Sequence, residues 1–303
     1  MPTHEAGVLH AQLQAPAWLE VPADVNALLQ PIWPATAFKL PDGVLQVGGI
    51  SAPELAGQFG TPAYVLDEAA FRGRAAEFKR EFEAAFAPLG GARVHYAAKA
   101  LITVGIASWL VEDQLAVDVC SEGELEIALR AGMPGQRITA HGSNKSDAYL
   151  ARALAAGVGR IVVDSLPEID QLARLVRQRR AAPAGPDGLS QRPAPVMLRC
   201  SIGIEAHTHE FIATSHEDQK FGLSAADGSA LEGARRVART AELDLLGLHS
   251  HIGSQIFDVA PFAQAIDRMA ALTAQVEAVI GAELPELGLG GGFGVAYTTG
   301  HDP

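Results

Sequence analysis

Short apolar runs rich in β-branched residues alternate with segments of helical periodicity along most of this chain. Eight runs have the length and composition of buried strands, at residues 63–66, 93–97, 115–119, 137–140, 160–163, 196–200, 245–249 and 287–289. Helical patterns occupy intervals between them, from Glu68, at 122–131, at 167–180 and at 261–280. This alternation is typical of βαβ units and predicts an α/β fold with a (β/α)₈ barrel; a doubly wound parallel sheet is the alternative.

The first 60 residues are richer in proline than the rest of the chain and lack this alternation. Eight of the 18 prolines lie within the first 62 residues, which excludes a helical bundle there. We therefore predict an irregular N-terminal segment with short strands over 1–60, the best candidate strand being 43–47. Residues 61–303 form the barrel domain, and the Pro-, Gly- and Ala-rich stretch 181–195 is expected to be a surface loop inside it.

The composition and net charge of the chain argue against some classes of binding partner. The 303 residues are 48% hydrophobic and carry a net charge of −12, which argues against a disordered chain and against binding to nucleic acid or anionic membranes. The two cysteines exclude a disulfide framework and are expected to be buried, reduced thiols. The N-terminus does not resemble a signal peptide, and no apolar run approaches the ~20 residues of a membrane span, so we expect a cytoplasmic protein.

Polar residues stand where predicted strands end, which is where barrel enzymes concentrate their chemistry. Lys99 follows the run 93–97, and such a lysine can react with the carbonyl group of a cofactor or substrate; the alternative is a side chain that reaches into solvent. Asp118 lies between two valines, and a buried carboxylate there needs a partner. Glu124 falls in the first turn of the next helix, where a negative charge is favourable without any function.

Two further patterns follow later strands. His249 and His251 alternate at one strand end, and with His207 and His209 they could form a metal site, although the ligand spacing is unconvincing. The glycines at 290–292 would let backbone N–H groups approach a phosphate, whereas the alternative is a flexible turn. Taken together, the lysine, the aspartate, the histidines and the glycines suit an aldehyde cofactor that carries a phosphate.

Several motifs resemble those of one enzyme family. They are Val-His-Tyr-Ala-Ala-Lys-Ala at 94–100, Val-Asp-Val-Cys-Ser at 117–121, His-Gly-Ser-Asn-Lys-Ser at 141–146, Asp-Gln-Lys-Phe-Gly at 218–222, the segment 249–255 and the triple glycine. They resemble the fold-type III pyridoxal-phosphate decarboxylases, and most closely the diaminopimelate decarboxylase family. The similarity runs from about residue 43 to the end of the chain. The histidine-containing segment before 220–222 looks like the actinobacterial form.

This resemblance implies roles for particular residues. Lys99 would hold pyridoxal 5′-phosphate as a Schiff base, and His251 would stack on the cofactor ring while hydrogen-bonded to Asp118. Arg199 would lie near the ring, and Glu124 would belong to an acidic cluster beside it. The implied phosphate ligands are Ser254, Gly290, Gly291 and Gly292. The implied catalytic residues are Lys99 and His251, without a metal.

The resemblance also implies a reaction, a partner and a topology. Meso-diaminopimelate would lose carbon dioxide to give L-lysine, in an enzyme that works as a homodimer. The alternatives are a silent pyridoxal-phosphate-binding fragment and an arginine or ornithine decarboxylase of the same fold. The barrel would be alanine-racemase-like, with the strand at 63–66 outside it.

Four departures from the family pattern accompany this similarity. The Glu-Pro-Gly-Arg segment of the family's closing strand does not occur in the sequence, nor does most of the β domain. We therefore expect seven of eight barrel strands, N-terminal strands of an otherwise absent β domain, and impaired activity of the isolated chain. Gly288 stands where the family usually has an acidic residue, and Ser143 where it often has asparagine. Both changes are expected to weaken local hydrogen bonding.

Overall fold

The computed structural model describes residues 24, 27–28, 32–181, 191–204 and 221–297. The chain divides into two compact units, one formed by Met1–Asp67 with Ala296–Asp302 and the other by Glu68–Val295. The domain boundaries expected from sequence, 1–60 and 61–303, stay a prediction. Most of the predicted loop 181–195 lies outside the described residues.

The first unit contains a small antiparallel sheet. Its strands pair in the order β1 (Phe38–Lys39), β2 (Leu45–Val47) and β3 (Ile50–Ser51). The strand predicted at 43–47 is confirmed over its last three residues. Helix α1 (Ala52–Phe59) follows directly, because the Ser51 hydroxyl accepts a hydrogen bond from the Glu54 N–H and so caps the first turn.

The apolar run at 63–66 is not a strand, so this prediction is wrong. The structure gives these residues no regular secondary structure, and Tyr64, Val65 and Leu66 are all exposed. A strand needs a neighbouring backbone that accepts and donates its hydrogen bonds, and no described strand pairs with this segment. Apolar composition is therefore insufficient to make a strand here.

The second unit begins with helix α2 (Glu68–Phe86) and continues as alternating strands and helices. Its strands are β4 (His95–Ala97), β5 (Ala116–Val119), β6 (Ile138–Ala140), β7 (Arg160–Val163), β8 (Ala194–Ser201), β9 (Leu223–Ser224), β10 (Leu243–His251) and β11 (Glu286–Gly290). The remaining helices are α3 (Val104–Glu112), α4 (Glu122–Arg130), α5 (Asp147–Ala156), α6 (Leu166–Ala181), α7 (Ser229–Ala238) and α8 (Ala260–Ile280). The other seven predicted strands and all four predicted helices are confirmed within a few residues.

Seven strands of this unit form one curved parallel sheet. They pair in the order β11-β10-β8-β7-β6-β5-β4, and the two-residue β9 pairs with the end of β8. A doubly wound sheet reverses its strand order at a switch point, whereas here the strands follow one another in chain order. The structure is thus the wall of a (β/α) barrel with β4 and β11 as its edges, as predicted, and the doubly wound alternative is excluded.

Alternation along each strand separates a helix-facing side from an inner side. In β5, Val117 and Val119 are fully buried, whereas Asp118 between them keeps part of its side chain accessible. The register places Val117 beside Ile138 of β6 and Asp118 beside Thr139. Polar side chains of neighbouring strands therefore line up on the inner face, while the aliphatic ones pack against the helices.

An ion pair connects two strands that are not neighbours. The guanidinium of Arg160, at the start of β7, donates two hydrogen bonds to the carboxylate of Glu286, at the start of β11. Strands β8 and β10 lie between them, and three strand spacings of about 4.8 Å would separate the two residues widely in a flat sheet. The contact is possible only because the sheet curves, and it supports that curvature at the end opposite the carboxyl termini of the strands.

We predict that Arg160→Met lowers the free energy of unfolding by about 1–3 kcal/mol, because it leaves a largely buried carboxylate without its bidentate partner. Urea unfolding followed by circular dichroism measures this change. The matched control is Arg174→Met, whose ion pair with Asp147 is 44% and 54% exposed and should contribute less than about 1 kcal/mol. Equal losses in the two variants would contradict a special role for the Arg160 pair.

Candidate active site

Lys99 and His251 lie at the carboxyl edge of the sheet, beyond the end of β4 and at the end of β10 respectively. Lys99 is exposed. Burial lowers the pKa of His251 to about 3, and the positive charges of Lys99 and Arg199 add to this effect. His251 is therefore a neutral imidazole near neutral pH, within electrostatic reach of the lysine.

Asp118 is held by two histidines that the sequence did not single out. Its carboxylate contacts Nδ1 of His95 at 2.9 Å and Nε2 of His141 at 3.3 Å. Burial alone would raise the pKa of Asp118, but His141 and His95 hold it well below its ordinary value. The side chains that contact this carboxylate come from β4 and from the residue after β6, and the hydrogen bond expected between Asp118 and His251 stays a prediction.

The same polar layer continues to β10. The rings of His141 and His249 meet edge to face, with centroids 4.9 Å apart. On the other side, the Thr139 hydroxyl lies 3.2 Å from Nδ1 of His95. Burial lowers the pKa of His249 well below its usual value, so this ring is also neutral. The alternation of side chains along each strand could have indicated from the sequence that these histidines face inwards. It does not indicate which strands bring them together on the inner face.

Arg199 projects from β8 into a second polar group. Its Nη1 lies 3.4 Å from the Asp164 carboxylate, and its guanidinium carbon lies 4.7 Å from the centre of the Phe221 ring. Burial lowers the pKa of Arg199, and Asp164 opposes the shift. The loop that carries Asp164 is itself fixed, since Glu168 accepts the Asp164 N–H and forms a buried ion pair of 2.6 Å with Lys145. Sequence reasoning missed Asp164 and this ion pair.

Glu124 makes the contacts of a helix cap. Its carboxylate accepts the backbone N–H of Cys120 at 2.7 Å, and its own N–H donates to the Ser121 hydroxyl at 3.2 Å. This is the structural alternative considered for the residue, and its membership of an acidic cluster beside a cofactor stays a prediction. Both cysteines are free, but only Cys200 is buried; the expected burial of Cys120 is wrong because it lies at the exposed end of β5.

Backbone hydrogen bonds join the triple glycine to the segment that follows β10. The Gly290 carbonyl accepts from Ile252 N–H at 3.1 Å, and the Gly292 N–H donates to the Gly253 carbonyl at 2.8 Å. A Cβ on Gly290 would lie 3.0 Å from Nδ1 of His251, and one on Gly292 would lie 3.0 Å from the Cα of Ser254. A side chain at either position would crowd its neighbours, and the glycines therefore lie close to Ser254 and His251.

Gly291 completes this cradle, because a Cβ there would lie 2.8 Å from the ring of Phe262. In the described part of the chain, no group of three or more His, Cys, Asp or Glu side chains is arranged to hold a metal ion. His207 and His209, which belong to the metal alternative and to the actinobacterial-like segment, lie outside the described residues. Among the described helices, none combines the length and apolar character needed to cross a membrane.

Comparison with known proteins identifies this combination of half-barrel, rim lysine and glycine cradle. Residues 75–303 match the family described as "Pyridoxal-dependent decarboxylase, pyridoxal binding domain". The chain belongs to this family, as its motifs predicted.

Three similar curated proteins carry the name diaminopimelate decarboxylase. The Mycobacterium leprae protein is 45% identical over 311 residues, covering 100% of this chain and 62% of the relative. The Corynebacterium efficiens protein is 44% identical over 278 residues, covering 92% and 57%, and that of Mycobacterium tuberculosis is 47% identical over 276 residues, covering 90% and 58%. The chain thus spans about 57–62% of the length of these relatives.

Solved structures show the same relationship. Diaminopimelate decarboxylase from M. jannaschii, in complex with L-lysine, is similar with a TM-score of 0.78 and 26% identity, over 88% of this chain and 59% of that one. A lysine/ornithine decarboxylase from Vibrio vulnificus, in complex with putrescine, shares the fold with a TM-score of 0.64 and 24% identity, over 84% and 61% of the two chains.

The cofactor of this family is pyridoxal phosphate, as predicted, and the residues present fit it. Lys99 supplies an accessible primary amine for the aldehyde. The side-chain-free surface of Gly290, Gly291 and Gly292, together with Ser254, suits a phosphate, since a Cβ at Gly291 would clash with Phe262 and one at Gly290 or Gly292 would crowd its neighbours. The neutral imidazole of His251 lies against the first of these glycines and can face an aromatic ring.

The neutral state of His251 predicts a pH dependence of stability. A histidine has a pKa of about 6.5 in the unfolded chain, and that of folded His251 is about 3, so the unfolded state binds more protons between these values. This contribution is complete above pH 6.5 and is lost as the pH falls towards 3. We expect wild type to lose more unfolding free energy than His251→Asn between pH 7 and 4, by at most about 1.4 kcal/mol per pH unit. Urea titrations measure both, and parallel curves would contradict the prediction.

Proposed function

We propose that this chain provides the pyridoxal-phosphate-binding barrel of an enzyme that decarboxylates meso-diaminopimelate to L-lysine and carbon dioxide. The identity of 44–47% to proteins named diaminopimelate decarboxylase supports this substrate. The similar M. jannaschii enzyme binds L-lysine, which would be the product here. The V. vulnificus lysine/ornithine decarboxylase, at 24% identity, supports only the shared fold.

One observation carries the proposal. The exposed amine of Lys99 lies within electrostatic reach of His251, and His251 in turn lies against Gly290. An amine for the aldehyde, an aromatic surface for the ring and a glycine cradle for the phosphate are the three contacts that the cofactor needs. They come from β4, β10 and β11, so the two edges of the curved sheet contribute to one site.

Each of these residues has a part in the proposed reaction. Lys99 would hold the cofactor through its side-chain amine, and when free of the cofactor its ammonium form could donate a proton to the substrate carbon. When bound, pyridoxal phosphate supplies an electron sink for the electron pair left behind by carbon dioxide. As a neutral ring, His251 would cover the face of the cofactor ring without adding positive charge. Arg199, held by Asp164, brings a fixed positive charge towards the site.

The oligomeric state and the compartment belong to the same proposal. We infer a homodimer of the complete enzyme, without nucleic acid or membrane as a partner, acting in the cytoplasm. The net charge of −12 supports the absence of anionic partners, and the two free cysteines fit a reducing compartment.

Lys99→Ala is expected to abolish the visible absorption band that forms when pyridoxal phosphate joins a lysine amine. Spectrophotometric titration of the 303-residue chain with the cofactor measures this band. The matched control is Lys79→Ala on α2, whose ammonium donates to the Asp113 carbonyl away from the carboxyl edge. That variant should keep the band. A wild-type chain without the band, or a band that survives Lys99→Ala, would overturn the assignment of Lys99.

The substrate is tested with the protein as it is produced from its own gene. Carbon dioxide release is measured with meso-diaminopimelate, L-lysine, L-ornithine and L-arginine. We expect kcat/KM for meso-diaminopimelate to exceed the others by at least about 100-fold, and L-lysine to accumulate. Preference for ornithine or arginine would favour the alternative decarboxylase, and cofactor binding without any release would favour a silent binding protein.

A further inference from the structure

The two imidazoles around Asp118 have no part in the proposed reaction, although they lie below the carboxyl edge of the sheet. His95 comes from β4 and His141 from the residue after β6, and both are largely buried. Their nitrogens approach different oxygens of one carboxylate, Oδ1 at 2.9 Å and Oδ2 at 3.3 Å. Each oxygen of Asp118 therefore has its own donor, and the carboxylate cannot rotate without losing both.

The contacts of this group extend to the glycine cradle. His141 packs edge to face on His249. A Cβ on Gly290 would lie 3.0 Å from Cε1 of His249 and 3.0 Å from Nδ1 of His251, so both rings lie close beside this glycine. A displacement of Asp118 would move His141, and through His249 it would move the place where the phosphate ligands begin.

We propose that His95 and His141 are positioning residues of the cofactor site, which act by donating one hydrogen bond each to Asp118 and so fix the packed rings beneath Gly290. This inference rests on the proposed function, because it concerns the affinity for pyridoxal phosphate. Neither imidazole touches the cofactor or the substrate in this assignment, and each acts through Asp118.

The proposal requires a particular tautomer of each ring. An ionised carboxylate only accepts hydrogen bonds, so His95 must carry its proton on Nδ1 and His141 must carry one on Nε2. A buried carboxylate that loses a donor takes up a proton or moves towards water. Described titratable groups that interact with Asp118 are His95, Cys120, His141, Tyr149, His249 and His251.

Three variants distinguish the hydrogen bonds donated to Asp118 from the packing of the two histidine rings. His95→Leu removes a donor, whereas His95→Asn keeps an N–H near the position of Nδ1. His141→Phe keeps a ring edge against His249 and removes the donor. Titration of the 303-residue chain with pyridoxal phosphate should show an apparent Kd at least about tenfold weaker for His95→Leu and His141→Phe. His95→Asn should stay within about threefold of wild type, a rescue that a merely space-filling role would not produce.

Nuclear magnetic resonance of the wild-type imidazoles provides a readout that does not depend on the cofactor. Slowly exchanging protons on Nδ1 of His95 and Nε2 of His141 are expected, and the absence of a proton at either of these nitrogens overturns the proposal even if the leucine variant fails to fold. Unchanged affinity in both donor-free variants, with a Lys99-dependent band in wild type, overturns this inference and leaves the proposed function standing. A wild-type chain without that band overturns both.

Discussion

The parallel pairing of seven strands in chain order is the constraint on which the candidate site depends. It places the carboxyl end of every strand at one edge, so Lys99 after β4 and Gly290 at the end of β11 belong to the same rim. Since side chains alternate along a strand, a slip of one residue in β5 would turn Asp118 towards the helices and bring Val117 and Val119 inside. The burial of these two valines therefore fixes both the register and the direction of the carboxylate.

On the inner face of the sheet, the surroundings of each ionisable side chain determine whether it is charged or neutral. Asp118 stays ionised because two imidazoles face it, whereas burial and nearby positive charges keep His251 neutral. Arg199 keeps its charge beside Asp164, and the buried pair of Lys145 and Glu168 holds the loop from which Asp164 projects. Each charged side chain on this face is thus held by a residue from a neighbouring strand or loop. The geometry of the rim therefore depends on the correct folding of those neighbouring elements.

The sequence predicted those features that one segment determines alone. Apolar β-branched runs marked seven parallel strands, and Lys99 and the triple glycine stood out by their residue types. The partner of Asp118 was not predictable in this way, because it depends on the register between β4, β5 and β6. The run at 63–66 failed for a related reason, since strand formation requires a partner that the run itself does not encode. Family membership gave the cofactor, but the histidines around Asp118 follow only from the assembled sheet.

Gly288 shows how a departure from the family pattern acquires a physical meaning once neighbours are known. The missing acidic side chain was expected only to weaken hydrogen bonding. In the structure, a Cβ at this position would lie 2.9 Å from Nδ1 of His249 and 3.2 Å from the terminal methyl of Met197. The histidine ring therefore uses the space that a side chain at 288 would enter. A carboxylate there would also favour a protonated His249, so glycine at this position suits both the packing and the neutral state of the ring.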